Sequence, residues 1–324
     1  MNFSLAKHAL ALALILASFG AQAQAPDSFP TKPVRLLVAF PPGQTTDVVA
    51  RMIADELTKV WGRQVVVDNR AGGNSIPGTV AGRNAPADGY TILLATASSF
   101  AINPSLYTNL PYDPAKDFAM ICNVFSVPIL ILAHPSAPYK GLKDMVDAAR
   151  SSPDKLGWGY SSTTMQLGGE LFKLRTGVKI LGIPYKGSGQ STTDLLGGQI
   201  TLLLDTPAAT LSQIKAGKMK ALAIMSPRRV PQLPDVPTVA ELGYPGFEAS
   251  GWGGFVVPKA TPSHIVQRIG EDVARILKDP TVEQKIIERA IVPDFLGPKE
   301  WTQFVNAEIT KWADVVRKAN VKVD

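Results

Sequence analysis

The chain alternates between short continuous apolar runs and longer segments whose apolar residues recur every three or four positions. Residues 34–40 form one such run, closed by Pro41-Pro42-Gly43, the pattern of a strand buried on both faces. Behind it Val48, Val49, Met52, Ile53 and Leu57 make a helical stripe, for which Thr46 or Asp47 is the expected cap. Residues 64–68 and 91–97 are predicted strands, with a helical segment around 79–83 between them. This β-α-β-α-β order predicts a parallel sheet with helices on its faces.

The rhythm restarts in mid-chain. Residues 129–133, 156–160, 180–185, 200–204 and 220–225 read as strands, and 142–150, 167–175, 192–196 and 210–216 as helices. After Pro231-Gln232-Leu233-Pro234 and Asp235-Val236-Pro237 the pattern becomes mainly helical. Ile265, Ile269, Val273, Ile276 and Leu277 recur at helical spacing, as do Phe304, Ile309, Trp312, Val315 and Val316. The expected fold class is α/β, in two similarly built lobes, with crossovers near 123–128 and 226–237.

The first residues stand outside this scheme. A basic start at Lys7, an apolar run over 9–17 and the ending Ala21-Gln22-Ala23 describe a signal peptide over residues 1–23, cleaved near Ala23. The run is too short for a membrane-spanning helix, which needs roughly 20 residues. The expected product is exported to the periplasm.

Composition adds less. With 45% hydrophobic and 19% charged residues the chain is ordinary for a globular protein. Its formal charge of +6, one unit of it from Lys7, is spread along the sequence, and no basic run carries interleaved aromatics, so nucleic acid is not an expected partner. The single cysteine, Cys122, cannot form an internal disulfide and sits among Met120, Ile121, Val124 and Phe125, so a buried structural thiol is expected.

In an open α/β sheet, ligands bind where strand ends lead into helices, and four such loops carry suitable groups. The first is Pro42, Gly43, Gln44, Thr45, Thr46 and Asp47. Its glycine permits close approach, and its helix-start amides suit a carboxylate. Asp47 would repel an anion and is expected to cap the helix or hold the loop. The second loop offers Ser98 and Ser99, for which a capping role is the alternative. The third offers Ser161, Ser162, Thr163 and Thr164, more hydroxyls than a single cap requires. The fourth places Lys186, read as the only cation near these loops, with Asp205 after a strand. His134 and His264 sit beside prolines away from these loops, and no metal-ligand or nucleophile motif appears. No cofactor, metal or catalytic residue is therefore expected.

These same segments resemble the Bug family, the periplasmic substrate-binding proteins of tripartite tricarboxylate transporters. The similarity runs from Pro33-Val34-Arg35-Leu36 through Pro41-Pro42-Gly43, Thr46-Asp47 and Asp68-Asn69-Arg70 to Ala87-Asp88-Gly89-Tyr90-Thr91 and Leu110-Pro111-Tyr112-Asp113. It continues at Gly169-Glu170-Leu171-Phe172-Lys173, Pro184-Tyr185-Lys186-Gly187, Asp194-Leu195-Leu196-Gly197-Gly198-Gln199 and Leu233-Pro234-Asp235-Val236-Pro237-Thr238. The resemblance implies a two-lobed type II periplasmic-binding-protein fold with a central ligand cleft. It also implies a discontinuous lobe 1 of residues 24–124 and 236–324, and a lobe 2 of 125–235.

The function implied is capture of a small carboxylate (a di- or tricarboxylate, an amino acid or an aromatic acid) by cleft closure. Delivery to membrane permease subunits would follow, and no catalysis is implied. The facing loops are then 42–47 and 161–164, with Asp205 where many members carry an acid. Two departures stand out. Gln44 replaces the family's second glycine, and the run before Gly169 is shorter and hydroxyl-rich instead of glycine-rich, so side chains should contribute more to recognition. The alternatives are a ligand-dependent accessory sensor of a two-component system, or an enzyme on the same fold.

Overall fold

A computed structural model describes residues 29–322; the expected signal peptide over 1–23 lies outside the described residues. The chain opens with strand β1 (Val34–Val38), helix α1 (Thr45–Trp61), β2 (Val65–Asn69), α2 (Ile76–Arg83) and β3 (Thr91–Thr96). Helix α1 buries Val49, Ala50, Ile53, Ala54, Leu57 and Trp61, the stripe that 3.6-residue periodicity requires. It ends at Gly62, whose left-handed φ of 59° lets its amide reach the Thr58 carbonyl. A wide helical turn over Ser98–Ile102 then leads to the long strand β4 (Phe118–Pro128).

The chain next builds β5 (Leu130–Ala133), α3 (Leu142–Ser151), β6 (Gly157–Tyr160), α4 (Thr163–Thr176), β7 (Leu181–Pro184), α5 (Ser188–Leu196), β8 (Leu202–Asp205), α6 (Pro207–Lys215) and β9 (Lys220–Ile224). It then returns through β10 (Ser250–Pro258), α7 (Ser263–Leu277), α8 (Pro280–Glu288), β11 (Val292–Leu296) and α9 (Pro298–Ala319). The first sheet has the order β11-β4-β10-β3-β1-β2 and the second β7-β6-β8-β5-β9.

Neither sheet is purely parallel, which corrects the sequence expectation. β1 runs parallel to β2 and β3, but β10 is antiparallel to both β3 and β4 in the middle of the first sheet. In the second sheet β6 is parallel to β7 and β8, whereas β5 is antiparallel to β8 and β9. A second correction concerns β10 itself. The pattern after residue 237 reads as mainly helical, yet Gly251-Trp252-Gly253-Gly254 lies in a central strand. Glycine is required there by packing: a Cβ on Gly254 would lie 2.4 Å from the Cys122 carbonyl oxygen and 2.6 Å from the Trp301 ring. A Cβ on Gly253 would lie 2.4 Å from the Phe125 ring.

One apolar cluster runs through both sheets, from Leu37, Leu93 and Phe118 to Trp158, Phe172 and Leu204. Helix α9 packs against both the first sheet and helix α4, and so braces one sheet on the other. Its buried Glu308 accepts the indole N–H groups of Trp252 at 3.0 Å and Trp312 at 2.9 Å, and pairs with Lys311. Cys122 is fully buried, and burial pushes its thiol far above the ordinary range.

The crowding at β10 has a direct test. Gly254→Ala should lower the unfolding free energy by about 2–3 kcal/mol through overpacking. Urea denaturation reads the change, and an unaltered midpoint would contradict this packing.

Candidate functional site: two helix starts with free amides

The first loop is held by one carboxylate. Asp47, in the first turn of α1 and only 2% exposed, accepts the Gly43 amide at 2.9 Å and the Asn69 side-chain amide at 2.9 Å. Arg51, one turn later, grips both carboxylate oxygens at 3.0 and 2.9 Å and reaches Asn69 Oδ1 at 2.9 Å. Asn69 in turn donates to the Phe40 carbonyl, two residues beyond β1. Burial alone would raise the Asp47 carboxyl. The hydrogen bonds from Arg51, Gly43 and Asn69 outweigh burial and hold it below the usual carboxylate range.

This arrangement corrects two expectations. The N-cap of α1 is Gln44, which supplies no side-chain cap; neither Thr46 nor Asp47 caps the helix. Lys186 is not the only cation near the loops, because Arg51 stands against the first of them. Gly43 takes a φ of 85°, and no atom lies within 4 Å of a Cβ placed there, so the turn, and not a close approach, calls for glycine. Pro42, Gly43 and Gln44 are exposed.

What the knot leaves behind is a set of free donors. The first amide bond of α1 runs from Val48 to the Gln44 carbonyl at 2.9 Å, so the amides of Thr45, Thr46 and Asp47 have no acceptor among the described residues. The Thr46 hydroxyl oxygen is buried with no partner either.

The second and third loops meet. Ser98 Oγ lies 3.2 Å from Thr164 Oγ1, a hydroxyl contact between a loop of the first sheet and one of the second. Ser99 turns inward, accepting the Thr96 amide at 3.0 Å, and does not join the group. Ser162 is the N-cap of α4 and accepts the Met165 amide at 3.3 Å. The amides of Thr163 and Thr164 have no acceptor among the described residues. Two helix starts, on α1 and on α4, thus present unused amides with the positive end of each helix dipole behind them. Lys186 is exposed and forms no ion pair among the described residues.

Residues 49–321 match the family described as the tripartite tricarboxylate transporter family receptor. The chain belongs to that family. Protein BugT of Bordetella pertussis is 36% identical over 300 residues, covering 92% of each chain. Among solved structures, R. palustris Rpa4515 with adipate is 35% identical with a TM-score of 0.81, covering 91% of this chain and 99% of its own. MatC from Rhodopseudomonas palustris with bound malate is 29% identical with a TM-score of 0.76, covering 89% and 100%.

In this tripartite tricarboxylate transporter family receptor Asp205, at the end of β8, is fully buried. Its Oδ1 accepts the Ser188 hydroxyl at 2.8 Å and the Thr206 amide at 2.7 Å, while Oδ2 is buried without a partner. Burial raises this carboxyl to about 6, against the opposing hydrogen bonds of Thr206 and Ser188. Ser188 also lies 3.3 Å from Ser161 Oγ, which links the buried acid to the third loop.

Three participants were missed from sequence: Arg51, Asn69 and Ser188. Asn69 stands out in the sequence only within the Asp68-Asn69-Arg70 block, and Arg51 not at all. The i, i+4 spacing of Asp47 and Arg51 was the available signal for their pairing. Ser188 gave no signal beyond being a small residue at a helix start. Two surface grooves lie elsewhere, one lined by Met52, Glu56 and Lys285 among others and one by Arg83, Tyr107 and Lys116 among others; neither includes a residue of these loops. Among the described residues no cluster of three His, Cys, Asp or Glu could hold a metal, and no helix is long and apolar enough to cross a membrane.

The Asp47 knot should be visible in the pH dependence of stability. A carboxyl whose folded pKa is depressed adds stability above its ordinary value, about 4, and loses it as pH falls through the folded value. Asp47→Asn should therefore cost about 2 kcal/mol at pH 7. The gap to the unaltered protein should close on acidification below about pH 4. Unfolding curves at both acidities check this, and a gap that persists in acid would refute it.

Proposed function

We propose that this protein is a periplasmic receptor that binds a small carboxylate between its two sheets and hands it to the permease subunits of a tripartite tricarboxylate transporter. The observation that carries the reading is the pair of helix starts with unused amides. Thr45 and Thr46 belong to the first sheet's side of the cleft, and Thr163 and Thr164 to the second's. Charge-assisted hydrogen bonds from such amides contribute on the order of 1.5–3 kcal/mol each, so a handful suffices for micromolar binding, about −8 kcal/mol, after ordering costs. The relatives solved with adipate and with malate support a carboxylate ligand.

In this reading residues 24–124 and 236–324 act as one lobe and 125–235 as the other. The ligand favours the closed state because only there do both helix starts reach it. Pro42, Gly43 and Gln44 line the first loop's rim, Thr45 and Thr46 donate to the carboxylate, and Asp47 holds the loop. Ser98 and Thr164 close the cleft beside the ligand, with Ser161, Ser162 and Thr163 on the opposite wall. Ser99 supports the second loop from within, and Lys186 attracts anions to the opening. The solute leaves unchanged, and the signal peptide is removed near Ala23. The family match favours transport over a sensor role.

Thermal-shift measurements over mono-, di- and tricarboxylates, amino acids and aromatic acids test the central claim: at least one acid should raise the melting temperature, and none doing so would defeat it. Thr46→Leu or Ser162→Leu should weaken that acid roughly 10- to 100-fold, the equivalent of losing one charge-assisted bond, while leaving the fold intact. Unchanged affinity by calorimetry would reject these two assignments.

A further inference from the structure

The hydroxyl chain behind the third loop has a direction. A serine hydroxyl has one proton to donate and two lone pairs to offer. Ser188 donates its proton to the Asp205 carboxylate at 2.8 Å. It can then only accept from Ser161, 3.3 Å away. The other partner of Ser161 is the Met165 sulfur at 3.6 Å, which is likewise an acceptor. Whichever of the two takes the proton of Ser161, that proton points back into the second sheet. The half-buried Ser161 oxygen is left with lone pairs only for any further partner.

Around Asp205 nothing neutralises this polarity. The acid is fully buried, with Oδ2 unpartnered, and it forms no ion pair among the described residues. Burial and its own hydrogen bonds, with no neighbouring charge, set the state of this carboxyl. Glu170 pairs with Lys173 on α4, Tyr185 donates to Asp194 on α5, Tyr160 ends β6, and Lys186 is exposed. The strand β5 alongside, Leu130–Ala133, carries none.

We propose that Ser161 is a specificity-determining residue that accepts an O–H or N–H of the ligand, so that this receptor selects carboxylates bearing a hydroxyl or amino group near the bound carboxylate. This rests on the carboxylate-receptor reading above. Amides at the starts of α1 and α4 provide donors for the carboxylate, and Ser161, two residues before the free Thr163 amide, provides the complementary acceptor. An unsubstituted acid leaves that acceptor buried and unpaired on closure, which is how a polar site rejects an analogue lacking the group. Asp205 and Ser188 are positioning residues, acting only through Ser161.

Protonating Asp205 reverses the chain. The carboxyl O–H donates to Ser188, Ser188 to Ser161, and Ser161 to the cleft, with no net change in the number of hydrogen bonds. The preference for a donor-bearing ligand should then fade as pH falls through about 6, where burial places this acid.

Calorimetry with matched acids tests the proposal: succinate against malate and aspartate, glutarate against glutamate, propionate against lactate, and tricarballylate against citrate. At pH 7.5 the substituted member of at least one set should bind tenfold or more tightly than its parent, and the ratio should shrink at least threefold at pH 5. Ser161→Ala should abolish the ratio at both acidities, whereas Ser188→Ala, which leaves the Met165 sulfur to take the Ser161 proton, and Asp205→Asn should each keep the ratio and make it independent of pH. A purely structural role for Asp205 would move stability but not the pH dependence of this ratio. Parents binding as tightly as their substituted partners at pH 7.5, a ratio untouched in Ser161→Ala, or binding confined to unsubstituted acids would each overturn the inference while leaving the receptor function standing. Failure of every carboxylate to bind would overturn both.

Discussion

A helix start whose amides find no acceptor in its own chain is the constraint around which this molecule is arranged. Thr45, Thr46 and Asp47 at the start of α1 keep their amides free because Gln44 provides no side-chain cap. An uncapped helix start forgoes roughly 1 kcal/mol of the stability that a serine or aspartate would provide. Here the carboxylate that could have capped is turned to another task. Asp47 reaches back to the Gly43 amide and across to Arg51 and Asn69, fixing the loop without covering the helix end. The loop is therefore rigid and its donors are unmet, the preorganised state in which an anion loses least on binding.

The mixed strand order serves the same arrangement. β4 and β10 pair along their length, from Phe118 with Pro258 to Pro128 with Ser250, and both continue directly toward the second sheet. Just beyond, Met225 donates to the Ile129 carbonyl and Ala249 to the Met225 carbonyl, so the passages between the sheets are themselves hydrogen-bonded. In the proposed closure these two neighbouring antiparallel strands are the connection about which the sheets would change their relative tilt. Ser98, after β3, and Thr164, after β6, already meet across it.

Much of this was legible in the sequence. The strands around 34–38, 91–96 and 202–205 announce themselves as continuous apolar runs, and α1 by its stripe. β10 was hidden because the residues that make it a central strand are glycines, whose reason lies in Phe125, Trp301 and the Cys122 carbonyl, all remote in sequence. Antiparallel pairing was hidden for a related reason. A strand buried on both faces reads the same in either direction, so alternation could not orient β5 or β10. At the candidate site, sequence named loops that carry free amides and hydroxyls but could not orient the hydroxyls. Ser98 and Ser99 are adjacent and chemically identical, yet one meets Thr164 and the other turns to Thr96. Nor could it show that Asp47 and Arg51 neutralise each other and withdraw both charges from the first loop's recognition surface.

With those charges paired, the proposed site offers mainly neutral amides and hydroxyls, and this bears on how it would discriminate among carboxylates. An arginine or lysine facing the ligand would bind any anion with little regard to the atoms around its charge. Neutral amides and hydroxyls are directional, and a hydroxyl whose proton is already committed can serve one kind of partner only. The deep carboxyl of Asp205 imposes that commitment from a distance, through Ser188, without presenting its own charge to an anionic ligand. A buried acid that never touches the solute can therefore shape the choice among solutes, because what it exports through the chain is a direction, and a direction costs the anion less than a second negative charge would.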